Sequence, residues 1–125
     1  MSSRVLAIGL DPHHADLSGF PGLTPELVKG FIDAQLERLN SSGFSVVSCL
    51  IDLGETAESV AAEALKSQRF DCVVIGAGLR VPPPQLLLFE KVINLVHTLA
   101  PGARICFNTT PADTLEAVRR WLEPK

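Results

Sequence analysis

At 125 residues, with 46% hydrophobic and 20% charged side chains, the chain has the makeup of one globular domain and not of a disordered segment. A formal net charge of −3, with eleven scattered Lys and Arg residues, argues against nucleic acid, whose phosphates need a basic footprint. No run approaches the roughly 20 apolar residues of a membrane span, and the apolar stretch after Met-Ser-Ser-Arg is too short for a secretory signal, so a cytoplasmic setting is expected.

In chain order, Val5 to Gly9 is a short continuous apolar run ended by Leu10-Asp11-Pro12, the pattern of a strand buried on both faces. After a loop from Asp11 to Leu23, Thr24-Pro25-Glu26 supplies a capping hydroxyl, a proline at the first helical position and an early acid. Val28, Phe31, Ile32, Gln35, Leu36 and Leu39 follow at helical spacing, and Gly43 is the stop. Phe44 to Ile51 is a second strand, rich in β-branched residues. Thr56 to Gln68 reads as a second helix with Val60, Ala61, Ala64 and Leu65 on one side. Asp71 to Gly76 is the third strand, Gln85 to Ala100 the third helix and Ala103 to Phe107 the fourth strand. A fourth helix opens at Thr110-Pro111-Ala112-Asp113, with Leu115, Val118 and Leu122 as its stripe.

Strand alternating with helix implies a parallel sheet with right-handed crossovers. The expected architecture is a single α/β domain over 1–125: a three-layer sandwich around a four-stranded parallel sheet in the order 2-1-3-4, a shortened flavodoxin-like arrangement. Coverage of both sheet faces places the first and fourth helices on one side and the second and third on the other. Cys49, Cys72 and Cys106 lie inside apolar runs without metal or disulfide spacing, and are expected to be buried thiols.

Open α/β sheets bind ligands outside the carboxyl ends of their strands, where the strand order reverses. Here that is between strands 1 and 3. The loops reaching this edge hold Asp11 and His13 after strand 1, Asp52 after strand 2, Gly76, Gly78 and Arg80 after strand 3, and Asn108 and Thr109 after strand 4. Arg80 has the fork geometry to clamp a carboxylate or phosphate, and equally suits a surface role against Pro82-Pro83-Pro84. Asp52 stands where a carboxylate holds a ribose hydroxyl in dinucleotide folds, or where a turn needs an Asp. His13 has the imidazole of a proton-transfer group. Asp11, His13, His14 and Asp16 do not meet metal-site spacing, so no metal is expected. Whether a cofactor is bound is left open by these residues. The Asp11–Leu23 loop is long enough to act as a lid.

The third helix is apolar around most of its circumference, with Glu90, Asn94 and His97 along one side. Such a helix calls for burial on more than its sheet side, which a homo-oligomer through Glu90, Asn94, Val96 and His97 would supply. The edge of strand 4 offers a second route to self-pairing.

Receiver domains need a phospho-accepting Asp after strand 3, where this chain has Gly76, and the glycine fingerprint of dinucleotide enzymes follows strand 1, where this chain reads Gly9-Leu10-Asp11-Pro12. The combination GAGLRVPPP (76–84), LLLFEKVINLVH (86–97), FNTTPADT (107–114) and RRW (119–121) resembles a group of small, uncharacterised bacterial and fungal α/β proteins. The resemblance covers about the second half of the chain and implies no activity, cofactor or catalytic residue. The functional expectation is therefore a small anionic or nucleotide-like ligand at the strand 1–strand 3 crevice. The alternative is a non-catalytic module that associates through the third helix.

Overall fold

The computed structural model describes residues 3–122. Its four strands, β1 (Ser3–Leu10), β2 (Phe44–Ile51), β3 (Cys72–Ile75) and β4 (Arg104–Phe107), form one sheet in the order β2-β1-β3-β4, with every pairing parallel. The helices are α1 (Pro25–Ser41), α2 (Ala57–Ser67), a single turn α3 (Ala77–Arg80), α4 (Leu86–Leu99) and α5 (Thr114–Arg119). The sheet order and the distribution of the four main helices over its faces are as expected from the sequence.

The local causes are visible at the ends of α1. Thr24 Oγ1 accepts the Leu27 N–H at 3.2 Å and Pro25 occupies the first turn. After the C-terminal end, Gly43 takes φ +96°, a left-handed conformation that a side chain would strain.

Alternation along the strands splits the core in two. Leu6, Ile8 and Leu10 of β1 point to the α2–α4 side, where they pack with Ile51, Val73, Ile75, Leu65, Val92 and Val96. Val5, Phe44, Cys72, Val74 and Cys106 point to the α1–α5 side and pack with Leu39, Leu115 and Val118. The first of these two layers is densely filled. The second is filled only toward the amino ends of the strands, and this asymmetry makes the site.

The breadth of the apolar surface on α4 has an internal cause. Leu88, Val92 and Val96 are buried, and Phe89, Ile93, Leu95 and Leu99 are half-buried against the same cluster, which α2 also joins. Val96 is fully buried and so is unavailable to a partner chain, whereas Glu90, Asn94 and His97 are exposed. Leu86 and Leu87, at the start of α4, are 60% and 70% exposed.

The three thiols are free and buried. Cys72 Sγ and Cys106 Sγ lie 3.4 Å apart on neighbouring strands, and the contact with Cys106, together with burial, holds the Cys72 thiol protonated. No helix of the described residues is long and apolar enough to cross a membrane.

Candidate functional site: an apolar cavity beneath the first helix

Helix α1 is anchored at one end. Leu39 is fully buried, and Arg38 pairs with Glu116 of α5 at 3.1 Å while reaching toward the Ala112 carbonyl. Burying a leucine is worth about 1.5–3 kcal/mol, so this end is held by packing more than by the exposed ion pair. Toward its N-terminus α1 buries less: Val28, Ile32, Gln35 and Leu36 are only half-buried, and Leu27 and Phe31 are 48% and 53% exposed.

The reason lies in the sheet beneath. On the α1 side, successive inward positions of β1 read Val5, Ala7, Gly9, while the other side of the same strand reads Leu6, Ile8, Leu10. The register sets Val46 and Cys72 on either side of Val5, and Ser48 and Val74 on either side of Ala7. Beyond β3 comes Gly76, whose missing Cβ would stand 3.5 Å from Gly9 Cα. Side chains therefore dwindle toward the carboxyl edge of β1 and β3 on this face alone. Although β1 is a central strand, Ala7 and Gly9 are only half-buried.

What remains is a cavity of about 400 Å³ between α1 and the sheet, within the ordinary range for small-molecule sites. Its floor is Ala7, Gly9, Val74 and Gly76 with Ser48 and Leu50 along the β2 side, and its roof is Val28, Ile32, Gln35 and Leu36. Leu17, Phe20 and Leu23 of the long loop close one end, and Ala77, Gly78, Val81 and Pro82 another. Asn108, Thr109, Pro111 and Thr114 form a polar side wall. None of the residues lining it is charged.

Asn108 is the organiser of that wall. It is only 6% exposed, and its Oδ1 accepts the Ala77 N–H at 2.8 Å while its Nδ2 donates to Thr114 Oγ1 at 3.0 Å. Its carbonyl accepts from Arg80 Nη2 at 2.7 Å. One side chain that both donates and accepts thus joins α3, β4 and α5. The Thr109 hydroxyl donates to Asp113 at 2.6 Å, and the same carboxylate accepts the N–H groups of Thr109 and Thr110, fixing the loop before α5.

Of the residues singled out by sequence, Gly76, Gly78, Asn108 and Thr109 line the cavity. Arg80 does not. Its guanidinium lies 5.5 Å from the centroid of Phe107, a ring that packs edge-on against Phe89 on the α4 side of the sheet. Arg80 Nε is buried without an acceptor among the described residues. The geometry makes Arg80 a brace for the end of β4: a cation–π contact plus one charge-assisted bond.

Asp52 is likewise occupied. Its carboxylate accepts the Thr56 hydroxyl at 2.7 Å and the N–H groups of Gly54, Thr56 and Ala57. The Thr56 hydroxyl first, and then the Gly54 N–H, hold this carboxyl below the usual aspartate value. It closes the β2–α2 loop and takes the first N–H of α2, that of Ala57, with Thr56 as the N-cap residue.

Asp11 and His13 stand at the lip of the cavity, while Pro12 and Ala15 between and beyond them line it. Asp11 accepts both the His13 N–H and Nδ1 at 3.0 Å, and His13 Nε2 lies 3.2 Å from Glu26 Oε2. The imidazole therefore bridges the β1–α1 loop to the first turn of α1. Its hydrogen bond to Asp11, and secondarily that to Glu26, raises its pKa above the ordinary histidine value. Among the described residues, no three His, Cys, Asp or Glu side chains converge as metal ligands would.

Apart from Gly76, the floor and the roof are not among the residues the sequence singled out. The available signal was the inward taper Val5-Ala7-Gly9, matched by Ser48 on β2. Fold and site together define an α/β protein with a doubly wound parallel sheet and a half-open apolar site on one face. No protein-family model matches the chain, and no curated protein matches it.

Proposed function

We propose that this protein binds a small, uncharged and largely apolar molecule in the cavity under α1, at the carboxyl edge of β1 and β3 in what we read as a shortened flavodoxin-like sheet. The observation that carries this reading is the cavity itself: about 400 Å³ of space whose lining holds no charged side chain. An apolar site with a few convergent polar groups is the usual form of a small-molecule pocket. An ion brought here would leave water for a wall of neutral groups, at a large desolvation cost. The small anion expected from Arg80 gains no support from a guanidinium turned to the other side of the sheet. The lining holds hydroxyl and amide groups but none that titrates near neutrality, so the activity proposed is binding and not turnover.

The test is a thermal-shift screen pairing neutral apolar compounds with carboxylates and phosphates of similar size. Neutral compounds should raise Tm, and the shift should persist in Arg80→Met. Anions that stabilise the protein through Arg80, with neutral compounds inert, would overturn the reading.

A second reading, self-association through the start of α4, is favoured by the exposure of Leu86 and Leu87. Leu87 lines a depression of about 170 Å³ together with Leu53, Pro84 and Leu95. Light scattering of Leu87→Glu decides it: a mass halved relative to wild type supports a homodimer, and an unchanged mass removes it. Three free thiols fit a reducing, cytoplasmic compartment.

A further inference from the structure

The shape of the cavity says more than its polarity. Floor and roof stand apart where side chains are missing from β1 and β3. Across the sheet, the row Val46-Val5-Cys72 carries full side chains on the α1 side. The next row, Ser48-Ala7-Val74, is reduced, and the last, Leu50-Gly9-Gly76, carries a side chain only at Leu50 on the β2 side, leaving backbone alone at Gly9 and Gly76. Because α1 is held at its far end by Leu39 and Arg38, it continues over the bare floor at a height set by the packed rows. The gap left is about one side-chain layer deep, and each of its faces makes contact at roughly 3.5–4.0 Å from a carbon. Such a slot takes a flat molecule without strain and a coiled alkyl chain poorly.

Two further observations agree. Between Leu50 on β2 and the polar wall, the floor at Gly9 and Gly76 has no side chain to stand between a ring face and the backbone. At the rim, Phe20 and Phe31 both line the cavity and are 58% and 53% exposed, leaving two aromatic rings free to meet another ring edge-to-face. Along the polar wall, Asn108 retains one amide hydrogen and Thr109 retains hydroxyl lone pairs after their internal bonds are counted.

We propose that the ligand is an uncharged planar ring system, lying on the floor of Ala7, Gly9, Val74 and Gly76 with its hydrogen-bonding edge toward Asn108 and Thr109. This rests on the cavity being a binding site, and the experiment separates the two claims. β-Naphthol and decanol have the same number of carbons and one hydroxyl each, but one is flat and the other a flexible chain. In calorimetric titrations of the full chain, β-naphthol should bind about tenfold or more tightly than decanol. Gly9→Val, whose new Cβ meets only Leu50 Cδ2 at an ordinary 3.6 Å, should abolish naphthol binding by filling the slot. Should that variant fail to fold, Ala7→Val blocks the next row. Decanol binding as well as or better than naphthol, or naphthol binding that survives the blocked floor, would overturn the planar ligand and leave an apolar site standing. Binding of neither compound would overturn both claims.

Discussion

If the α1 side of the sheet is unfilled at Ala7, a larger side chain there should stabilise the protein, against the usual rule for central strands. Ala7→Val adds two carbons at a half-buried position facing the cavity. At about 0.8 kcal/mol per buried CH₂ the gain is at most about 1.6 kcal/mol. Side-chain ordering removes about 0.5 kcal/mol, leaving about 1 kcal/mol, or roughly 3–5 °C in Tm for a chain of this size. The matched control is Ala61→Val on α2. Ala61 is fully buried in the filled layer, where added volume costs about 1–3 kcal/mol by overpacking. Lower helix propensity explains at most about 0.7 kcal/mol of that loss. Calorimetric melting of both variants, without ligand, is the assay. Ala7→Val losing stability as Ala61→Val does would mean that α1 already rests on the floor, and the account of the cavity would fail.

Asn108→Ala leaves the Ala77 N–H and the Thr114 hydroxyl without their partner, a loss of about 1–3 kcal/mol, read as a lower denaturant midpoint with an unchanged m-value. Arg80→Met, which keeps the stem over Phe107 but removes the 2.7 Å bond to the Asn108 carbonyl, should cost a similar amount and leave ligand affinity unchanged. His13 gives a pH dependence with a definite sign. Its pKa is raised in the folded state, so the tie between the β1–α1 loop and α1 is fully present below the unfolded value near 6.5 and is lost as pH rises through the higher folded value. Hydrogen exchange at Leu27 and Val28 should therefore quicken, beyond the intrinsic rate, across that window. In Asp11→Asn, an NMR titration of the His13 ring should show its pKa fall, and an unmoved pKa would remove Asp11 as the cause.

The parts of this molecule that local chemistry specifies are legible in the sequence. Thr24-Pro25 and Gly43 mark the ends of α1, the β-branched runs mark the strands, and alternation of strand and helix leads to a parallel sheet in the order 2-1-3-4. Local chemistry did not reveal α3, because it is a single turn and Gly78 within it is a poor helix former; burial of Leu79 and the bond from Ala77 to Asn108 override that preference. The direction of Arg80 was hidden for the same reason. It depends on how that turn meets Phe107, a residue distant in sequence. Asp52 and Thr109 stand at the carboxyl edge of the sheet as the sequence implied, but the Asp52 carboxylate holds the start of α2 and the Thr109 hydroxyl donates to Asp113. The cavity itself was half-legible. The taper Val5-Ala7-Gly9 is plain in the sequence, yet it acquires meaning only when the register sets Ser48 and Val74 beside Ala7.

The central claim, that the space under α1 is a binding site for an uncharged apolar molecule, is tested most directly by methyl NMR during titration with β-naphthol. The methyl groups of Val28, Ile32, Leu36 and Val74 surround the cavity, whereas those of Leu65, Val92 and Val96 lie in the layer across the sheet. The account predicts saturable shifts in the first set and none in the second. Shifts confined to the second set, or no saturable shift in either, would contradict it.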